Sequence, residues 1–435
     1  MRTRSIISHP VDCRSSSPLD IAGRLPFFSL CTIFLAADTL PPLIVYLRIS
    51  SSLAAGLIVA AALAIALVAV NFAVISTRSG KQTLLQARAN SIVLIGTTLA
   101  LICVHGMIAS RLVPVNFHRF ALSLIPLVFL LAGATSIAYV LRTATQRQID
   151  SMAWVCFWTF VCFLFLRVFH FEPDSSIYPK ALFPFTEPSH FALAFGPIYL
   201  YRSIAAPKRQ QWVWLAFGVL SAIVLKNATL LAFAFGAAML CRRLLLLTSV
   251  ATIAILTTAA THLSYFTSRA DITSHSRNLS VLVYIQGWEF LWRSLILSHG
   301  WGLGFQQLGI VPLHLGITRL IRSYANGVTL NTMGGSFVFS KLGSEFGVFG
   351  VFLAVCFGIL CIKSIMRLRS MTSLKHSTFA RCIIISFGID MFIRGTGYFY
   401  GAPLLFIGAA LSLSSGFGLG HRQVAQSGSE TLVLR

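Results

Sequence analysis

The chain alternates between long apolar runs and short polar connections, and most of the runs are long enough for membrane-spanning helices. A helix needs about 20 mostly apolar residues to cross the hydrocarbon core of a bilayer. The pattern predicts about twelve spans, near residues 26–48, 52–76, 91–110, 120–141, 151–169, 189–204, 211–226, 228–241, 244–263, 337–362, 379–394 and 397–416. The sequence therefore predicts an all-α polytopic membrane protein.

One stretch, residues 264–336, is too long for a simple connection between spans, and loops of this length are usually functional. Within it, YIQGWEFLWRSLILSHGWGLGF predicts a short amphipathic helix at a membrane interface, ending at Gly300. The predicted organisation has five parts: a tail at 1–25, about nine spans at 26–263, the long loop at 264–336, further spans at 337–416 and a second tail at 417–435.

Composition agrees with this class, because 56% of the residues are hydrophobic and only 11% are charged, unlike a soluble domain. The formal net charge of +22 does not indicate a nucleic-acid partner, since no basic run coincides with a soluble fold. If the first tail is cytoplasmic, basic residues concentrate in the loops on that side, at Arg78, Lys81, Arg88, Arg142, Arg147, Arg202, Lys208, Arg209, Arg242, Arg243, Lys363, Arg367, Arg369, Lys375 and Arg381. Both termini are therefore predicted to be cytoplasmic, and the long loop external.

No sequence motif indicates a metal site or a nucleotide-binding site. The nine cysteines lie mostly inside apolar runs, and neither Cys nor His shows the spacing of metal ligands. A Gly-rich phosphate loop is also missing from the pattern. We expect no metal and no cofactor.

The stretch FPFTEPSHFALAFGP, residues 183–197, begins the predicted sixth span with unusually polar residues. Glu187 is suited to act as a general base on a hydroxyl, or to orient one. Equally, a carboxylate beside Pro188 is typical of a helix start. His190 is either a proton carrier or pyrophosphate ligand, or simply an interfacial polar residue. From the sequence, these alternatives stay open.

Arginines on the predicted external side form a second candidate group, because the guanidinium fork matches phosphate oxygens and stays charged. Arg167 and Arg394 end predicted spans, where they either extend to lipid head groups or point inward to an anion. Arg394 belongs to FIRGTGYFYG, whose Tyr398 is a candidate sugar platform. The arginines of the long loop are Arg269, Arg277, Arg293, Arg319 and Arg322.

Four segments carry a resemblance to a known family. In order and predicted sidedness, they resemble segments of bacterial O-antigen and exopolysaccharide polymerases. The four segments are FTEPSHFALAFGPIYLY, SRNLSVLVYIQGWEFLWRSLILSHGWGLGFQQLG, SFVFSKLGSEFGVFGVFLAVCFGIL and FIRGTGYF. Together they lie within residues 183–400, about half of the chain. The order of the four motifs and their predicted sidedness carry the resemblance.

The resemblance implies a GT-C-like membrane fold and a metal-independent glycosyltransferase. Such enzymes polymerise undecaprenyl-diphosphate-linked repeat units at the periplasmic face of the inner membrane, alongside membrane lipid, a chain-length regulator and a flippase. Carried over, Arg277 and Arg293 would bind diphosphate charge, and Glu187 would be the base or acceptor-orienting group, with His190 second. Arg167, Arg319, Arg394 and Tyr398 complete the candidate binding set.

Two alternatives to a polymerase are open. The related O-antigen ligases carry a His-Asn pair about ten residues before the Glu at position 345, where this chain has Gly334, Gly335 and Ser336. A flippase or other transporter needs charged residues through the membrane centre, where ionisable groups are costly and usually partnered. Ionisable residues crowd the predicted external side, with Asp38, Glu345 and Asp390 as the main exceptions, which favours an enzyme.

Overall fold

The computed structural model describes residues 18–75, 78–169, 181–242, 273, 276, 278–313, 315–328, 330–371 and 377–414. All regular secondary structure in these residues is α-helical, apart from one isolated bridge between Leu182 and Phe185. The helices are α1 (Pro18–Tyr46), α2 (Leu53–Ile75), α3 (Arg78–Ala109), α4 (Phe117–Thr143), α5 (Gln146–Val168), α6 (Pro188–Ala205), α7 (Gln211–Val224), α8 (Ala228–Leu240), α9 (Leu279–Leu297), α10 (Gly316–Tyr324), α11 (Val338–Phe346), α12 (Val348–Ser370), α13 (Ser377–Phe392) and α14 (Gly401–Leu413).

Among the described residues, six helices are long and apolar enough to cross a membrane: Pro26–Tyr46, Leu53–Asn71, Ala89–Ala109, Phe117–Thr143, Gln146–Val168 and Val348–Ser370. The helices α7, α8 and α14 are apolar but shorter. The predicted class, an all-helical and membrane-embedded chain, is confirmed at this level. The predicted ninth span, 244–263, lies outside the described residues, and the number twelve stays a prediction.

The structure divides the predicted tenth span, 337–362, into two helices. The short helix α11 ends at Phe346, and α12 begins at Val348. Gly347, between them, has φ 59°, and a Cβ there would overlap the carbonyl oxygen of Gly300. Glycine is therefore required for this close backbone approach. An apolar run does not reveal such a break, because both halves are equally hydrophobic.

The helix predicted in the long loop is present as α9, which ends three residues before Gly300; its position at a membrane interface stays a prediction. Gly300 itself has φ 87° and accepts a backbone hydrogen bond from Val348 at 2.9 Å. The turn after Gly300 is hydrogen-bonded to the end of α11, because Leu303 N donates to Ser344 O at 2.9 Å. The long loop is thus bound to the break in the tenth predicted span.

Helix α6 is the most buried helix at the candidate site. Every residue from Phe191 to Ser203 is buried, because apolar side chains surround the helix instead of forming one stripe. The ring of Phe195 stacks on that of Phe191 with the centroids 5.6 Å apart. The ring centroid of Phe160 in α5 lies 5.7 Å from that of Phe195. Gly196 leaves room for the ring of Phe233 from α8. This packing fixes the start of α6, where Glu187 and His190 lie.

Hydrogen bonds join helix ends and the long loop on the side of the bundle where Glu187 lies. This side is called the Glu187 face. The start of α8 joins the start of α6, because Asn227 Nδ2 donates to Pro188 O at 2.6 Å. The end of α3 joins the long loop through His105 Nε2 and Trp301 O, 2.8 Å apart. The start of α4 joins the same loop, since Asn116 N donates to the Gln307 side chain at 2.8 Å.

The opposite helix ends form the Arg142 face. The Arg142 guanidinium, at the end of α4, donates to the last carbonyls of α14, including Ser412 O at 3.0 Å. Gln146 of α5 donates to the hydroxyl of Tyr201, near the end of α6, at 2.7 Å. Arg242, after α8, donates to the carbonyl of Arg369 in α12 at 3.3 Å. Helices α4, α6, α8, α12 and α14 therefore run from the Glu187 face to the Arg142 face.

Candidate functional site

Glu187 is the residue at which helix α6 begins. Its backbone is extended, with φ −143° and ψ 147°, and Pro188 takes the first helical position, where a missing N–H costs nothing. The Glu187 side chain makes no capping hydrogen bond to the helix. Instead, its carboxylate accepts a hydrogen bond from Ser189 Oγ at 3.0 Å. The carboxylate is thus turned away from the helix backbone, although the residue occupies the cap position.

Arg394 forms an ion pair with this carboxylate. Arg394 is the second residue after the end of α13. Its guanidinium donates to Glu187 Oε2 at 2.5 Å. The Arg394 side chain is 19% exposed and the Glu187 side chain 49%. The buried Nε of Arg394 has no hydrogen-bond partner. Two candidates proposed separately from the sequence are therefore in contact, and Arg394 points to a protein carboxylate.

The surroundings of Glu187 act on its acidity in opposite directions. Burial raises the pKa of the carboxyl, but the charges of Arg394 and His190 and the hydrogen bonds from Ser189 and Arg394 outweigh it, so that the pKa lies below the ordinary value. The group is therefore ionised at neutral pH. A carboxylate with a lowered pKa is a weaker base, and it suits the binding of a cation or a hydroxyl better than proton abstraction.

His190 connects this ion pair with a cleft. Its Nδ1 lies 3.4 Å from Thr186 Oγ1 on one side. On the other side, the residue lines a small cleft of about 30 Å³ between α1, α6 and α14. The cleft is bounded by Asp38, Pro42, Leu53, Phe185, His190, Leu193, Ala194, Thr396, Tyr400, Gly401 and Ala402.

The polar residues of the cleft come from three separate parts of the chain. Asp38 of α1 is 8% exposed. The buried hydroxyl of Thr396 has no hydrogen-bond partner. The Tyr400 hydroxyl donates to the carboxylate of Asp390. Sequence reasoning noted Asp38 only as an acid within a span, and the signal that it belongs to the site was the cost of a carboxylate at that depth.

A second polar cluster lies behind the site, around Lys341 and Glu345 of α11. Their charged groups are 3.7 Å apart, and the two side chains are 5% and 0% exposed. Lys341 Nζ also donates to Met333 O at 2.7 Å. Glu345 accepts a 3.4 Å hydrogen bond from Leu308 N. Lys341 was not predicted, although its position four residues before Glu345 is the spacing of a helical ion pair.

Tyr398 belongs to this second cluster. Its ring stacks on Phe305 with the centroids 6.0 Å apart and an interplanar angle of 15°. Lys341 Nζ lies 5.1 Å from the ring centroid, within the range of a cation–π contact. The role of Tyr398 as a sugar platform stays a prediction.

The remaining candidate arginines lie apart from Glu187. Arg293 of α9 and Arg319 of α10 are exposed, and Arg167, in the last turn of α5, is half-buried. Arg277 lies outside the described residues. The structure thus joins Glu187, His190 and Arg394, and it leaves the diphosphate-binding role of the other arginines as a prediction.

Helix α10 is held on α9 by side-chain contacts. The carboxylate of Glu289 accepts hydrogen bonds from Gly316 N at 2.8 Å and Ile317 N at 3.0 Å. Gln286 donates to Thr318 at 2.7 Å. These bonds satisfy backbone donors that a helix start leaves open. Arg319 is therefore presented on a fixed helix, and Glu289 is engaged in capping it.

The described residues contain no group of three or more His, Cys, Asp or Glu that could hold a metal ion. Fold and site define a helical, membrane-embedded protein with an ion pair at the start of α6, close to a small, mainly apolar cleft that His190 lines. The chain matches no protein-family model, no curated protein and no solved structure. Its function is therefore inferred from its own residues.

Proposed function

We propose that the chain is a membrane glycosyltransferase that polymerises undecaprenyl-diphosphate-linked oligosaccharide repeat units into O-antigen or exopolysaccharide. The observation that carries the proposal is the contact between Glu187 and Arg394 at the start of α6. These residues come from two of the four segments that resemble such polymerases, and they lie 207 positions apart. A carboxylate for the acceptor sugar and a cation for the departing diphosphate thus meet at one point.

The proposed reaction needs few groups. An acceptor hydroxyl attacks the anomeric carbon of the donor, a new C–O bond forms, and the bond to the diphosphate oxygen breaks with its electron pair. Cations that are fixed in place stabilise the departing diphosphate. Arg394 supplies one at the cleft, and Arg277, Arg293, Arg319 and Arg167 are further candidates. Glu187 orients the acceptor hydroxyl, and His190 takes up the proton that this hydroxyl loses and passes it on to water.

The distribution of charge supports the proposed orientation of the chain in the membrane. In the described residues, the ends and short connections on the Arg142 face are rich in arginine and lysine, as cytoplasmic loops are. They hold Arg142, Arg147, Arg202, Lys208, Arg209, Arg242, Arg367, Arg369 and Arg381. The Glu187 face would then be periplasmic in a bacterial inner membrane, with about twelve spans and both termini cytoplasmic. This orientation brings the cleft to the side where lipid-linked repeat units are polymerised.

A transporter is the second candidate, and a specific observation favours it. Asp38 and Asp390 are 8% and 1% exposed, within helices α1 and α13, and buried acids in spans are typical of ion or proton pathways. A flippase for the same lipid-linked glycan would use them. An O-antigen ligase is the third candidate, and the Gly334–Ser336 sequence, in place of the expected histidine, counts against it.

The deciding experiment removes the gene and separates the surface glycans by size. A polymerase mutant should carry single repeat units on its surface acceptor, and the wild-type gene should restore long chains. Long chains that accumulate on the lipid carrier would instead identify a ligase, and repeat units retained on the cytoplasmic side would identify a flippase. Either of these results would overturn the proposal.

A further inference from the structure

Arg202, in the last turn of α6, lies on the Arg142 face and has no role in the proposed reaction. The residue is 9% exposed, and its buried Nε has no hydrogen-bond partner. Within the described part of the chain, its guanidinium donates no hydrogen bond and forms no ion pair. A buried cation that lacks an anion is costly, so that an anion from outside the chain would stabilise it.

Two tryptophans hold this guanidinium in place. Arg202 Cζ lies 3.7 Å from the ring centroid of Trp154 in α5 and 5.5 Å from that of Trp214 in α7, within the range of cation–π contacts. The two indole rings are 5.9 Å apart, with an interplanar angle of 54°. Stacking uses the flat face of a guanidinium and leaves the N–H groups in its plane to bind phosphate oxygens. The helices α5, α6 and α7 thus fix a cation with unused donors.

The three helices around Arg202 contain a single acid, Asp150 of α5. Its charge acts on Arg202, but its carboxylate is engaged with neutral groups. Asp150 Oδ1 accepts hydrogen bonds from the Tyr201 hydroxyl and from Gln146 Nε2, the latter at 3.2 Å. Asp150 therefore offsets the charge of Arg202 only from a distance, and the guanidinium has no direct anionic partner among the described residues.

We infer that Arg202 binds the phosphate of an anionic membrane lipid, with the indoles of Trp154 and Trp214 as its platform. Lys208 and Arg209, in the connection between α6 and α7, are exposed. No acid occurs between Arg202 and the start of α7. Basic residues next to a membrane attract anionic headgroups, so that this connection raises the local concentration of the lipid that Arg202 binds.

Exposed tryptophans favour a lipid over a soluble phosphate as the occupant. Trp154, Trp158 and Trp212 are 40%, 56% and 53% exposed, and the ring of Trp158 stacks on that of Trp154 with the centroids 6.3 Å apart. Tryptophan is enriched where spans meet the headgroup layer, because its ring is apolar and its N–H is polar. A lipid offers apolar chain to these rings and phosphate to Arg202, whereas a soluble phosphate contacts only the cation.

The test measures lipid binding to the full chain in a neutral detergent by native mass spectrometry, with phosphatidylglycerol and phosphatidylcholine as probes. The wild-type protein should bind its first phosphatidylglycerol about tenfold more tightly than phosphatidylcholine, because only the first lipid carries net charge. Arg202→Met, which keeps an apolar stem but not the charge, should lower this preference about fivefold. Arg111→Met changes an exposed arginine after α3, and as the matched control it should retain the wild-type preference.

A second measurement uses only the wild-type protein, because Arg202→Met also removes the stacking on Trp154 and Trp214 that joins three helices. Phosphatidylglycerol with a photoreactive group next to its headgroup should label the peptides of α5 and α7 that contain these tryptophans. Excess unlabelled phosphatidylglycerol should suppress the labelling, and the same excess of phosphatidylcholine should not. Glycerol phosphate, which has the charge without the acyl chains, should also fail to suppress it.

Four results would overturn the lipid site. Equal affinity of the wild-type protein for the two lipids would do so, and so would an unchanged preference in folded Arg202→Met, which would leave Arg202 with a purely structural role. Labelling spread evenly over the helices would show that the lipid has no fixed site. Suppression by glycerol phosphate would assign the site to a soluble phosphate instead. Chain extension is not measured, so these results are independent of the proposed function.

Discussion

Arg394 donates a 2.5 Å hydrogen bond to Glu187 across 207 positions of sequence, at the point where helix α6 begins. The side chain of Arg394 is 19% exposed, and that of Glu187 is 49% exposed. Water therefore screens the carboxylate more than the guanidinium. Removing one partner or the other should accordingly have unequal effects.

We predict that Glu187→Ala destabilises the protein more than Arg394→Ala does. Loss of Glu187 leaves a mostly buried cation without its anion, whereas loss of Arg394 leaves a carboxylate that water reaches. Because one partner is half exposed, the cost of Glu187→Ala should be only about 1 kcal/mol. Unfolding in detergent, combined in a double-mutant cycle, measures the coupling. A coupling indistinguishable from zero would contradict a stabilising pair.

The chemical role of the pair gives a separate prediction. Arg394→Lys should retain part of the chain-extension activity, and Arg394→Ala should lose at least tenfold, because lysine keeps the charge but not the bidentate fork. Arg111→Ala, which changes an exposed arginine after α3, is the matched control and should have wild-type activity. Equal activity of Arg394→Ala and wild type would remove Arg394 from the site.

The acid dependence of stability should also depend on Glu187. Its pKa is lower in the folded protein than the ordinary value of 4.5, so the pair contributes its full stability above about pH 5. This contribution should be lost as the pH falls from 4.5 through the lower folded value. Unfolding temperatures measured down to about pH 3 test the sign. Glu187→Gln should show a flatter acid dependence, and an unchanged curve would contradict the assignment.

The sequence predicted the helices well where one uninterrupted apolar run forms one helix. The predicted spans at 120–141, 189–204 and 379–394 lie within α4, α6 and α13 or extend past them by at most two residues. The predicted span at 337–362 was wrong as a single helix, because Gly347 is determined by a contact with Gly300 rather than by hydrophobicity.

The candidate site was predictable residue by residue but not as an arrangement. Polar residues in apolar surroundings identified Glu187 and Arg394, since each is unusual in its own segment. Their pairing depends on how α6 and α13 pack, and no local pattern contains that information. Asp38 was recognised as a costly acid, and only the structure puts it beside His190 in the cleft.

The buried pair of Lys341 and Glu345 predicts a much larger effect on stability. Both side chains are almost inaccessible, and removing one partner of a buried pair costs about 3–5 kcal/mol. Glu345→Ala should therefore reduce the yield of folded protein sharply. The double variant Lys341→Met, Glu345→Gln should be more stable than Glu345→Ala, because it leaves no unpaired charge. Thermal unfolding of the three proteins in the same detergent measures this order, and a double variant less stable than Glu345→Ala would contradict it.

Two glycines of neighbouring segments should respond to alanine in opposite ways. Gly347→Ala places a methyl group against the backbone of Gly300 and forces alanine to φ 59°. We expect a loss of at least about 2 kcal/mol, since neither the strain nor the overlap can be relieved by a side chain moving. Gly358→Ala, in the middle of α12, meets no atom within 4 Å and should be neutral or stabilise by up to about 1 kcal/mol. Unfolding temperatures of the two variants test the contrast. If both are equally stable, the contact between Gly347 and Gly300 does not hold the long loop to the start of α12.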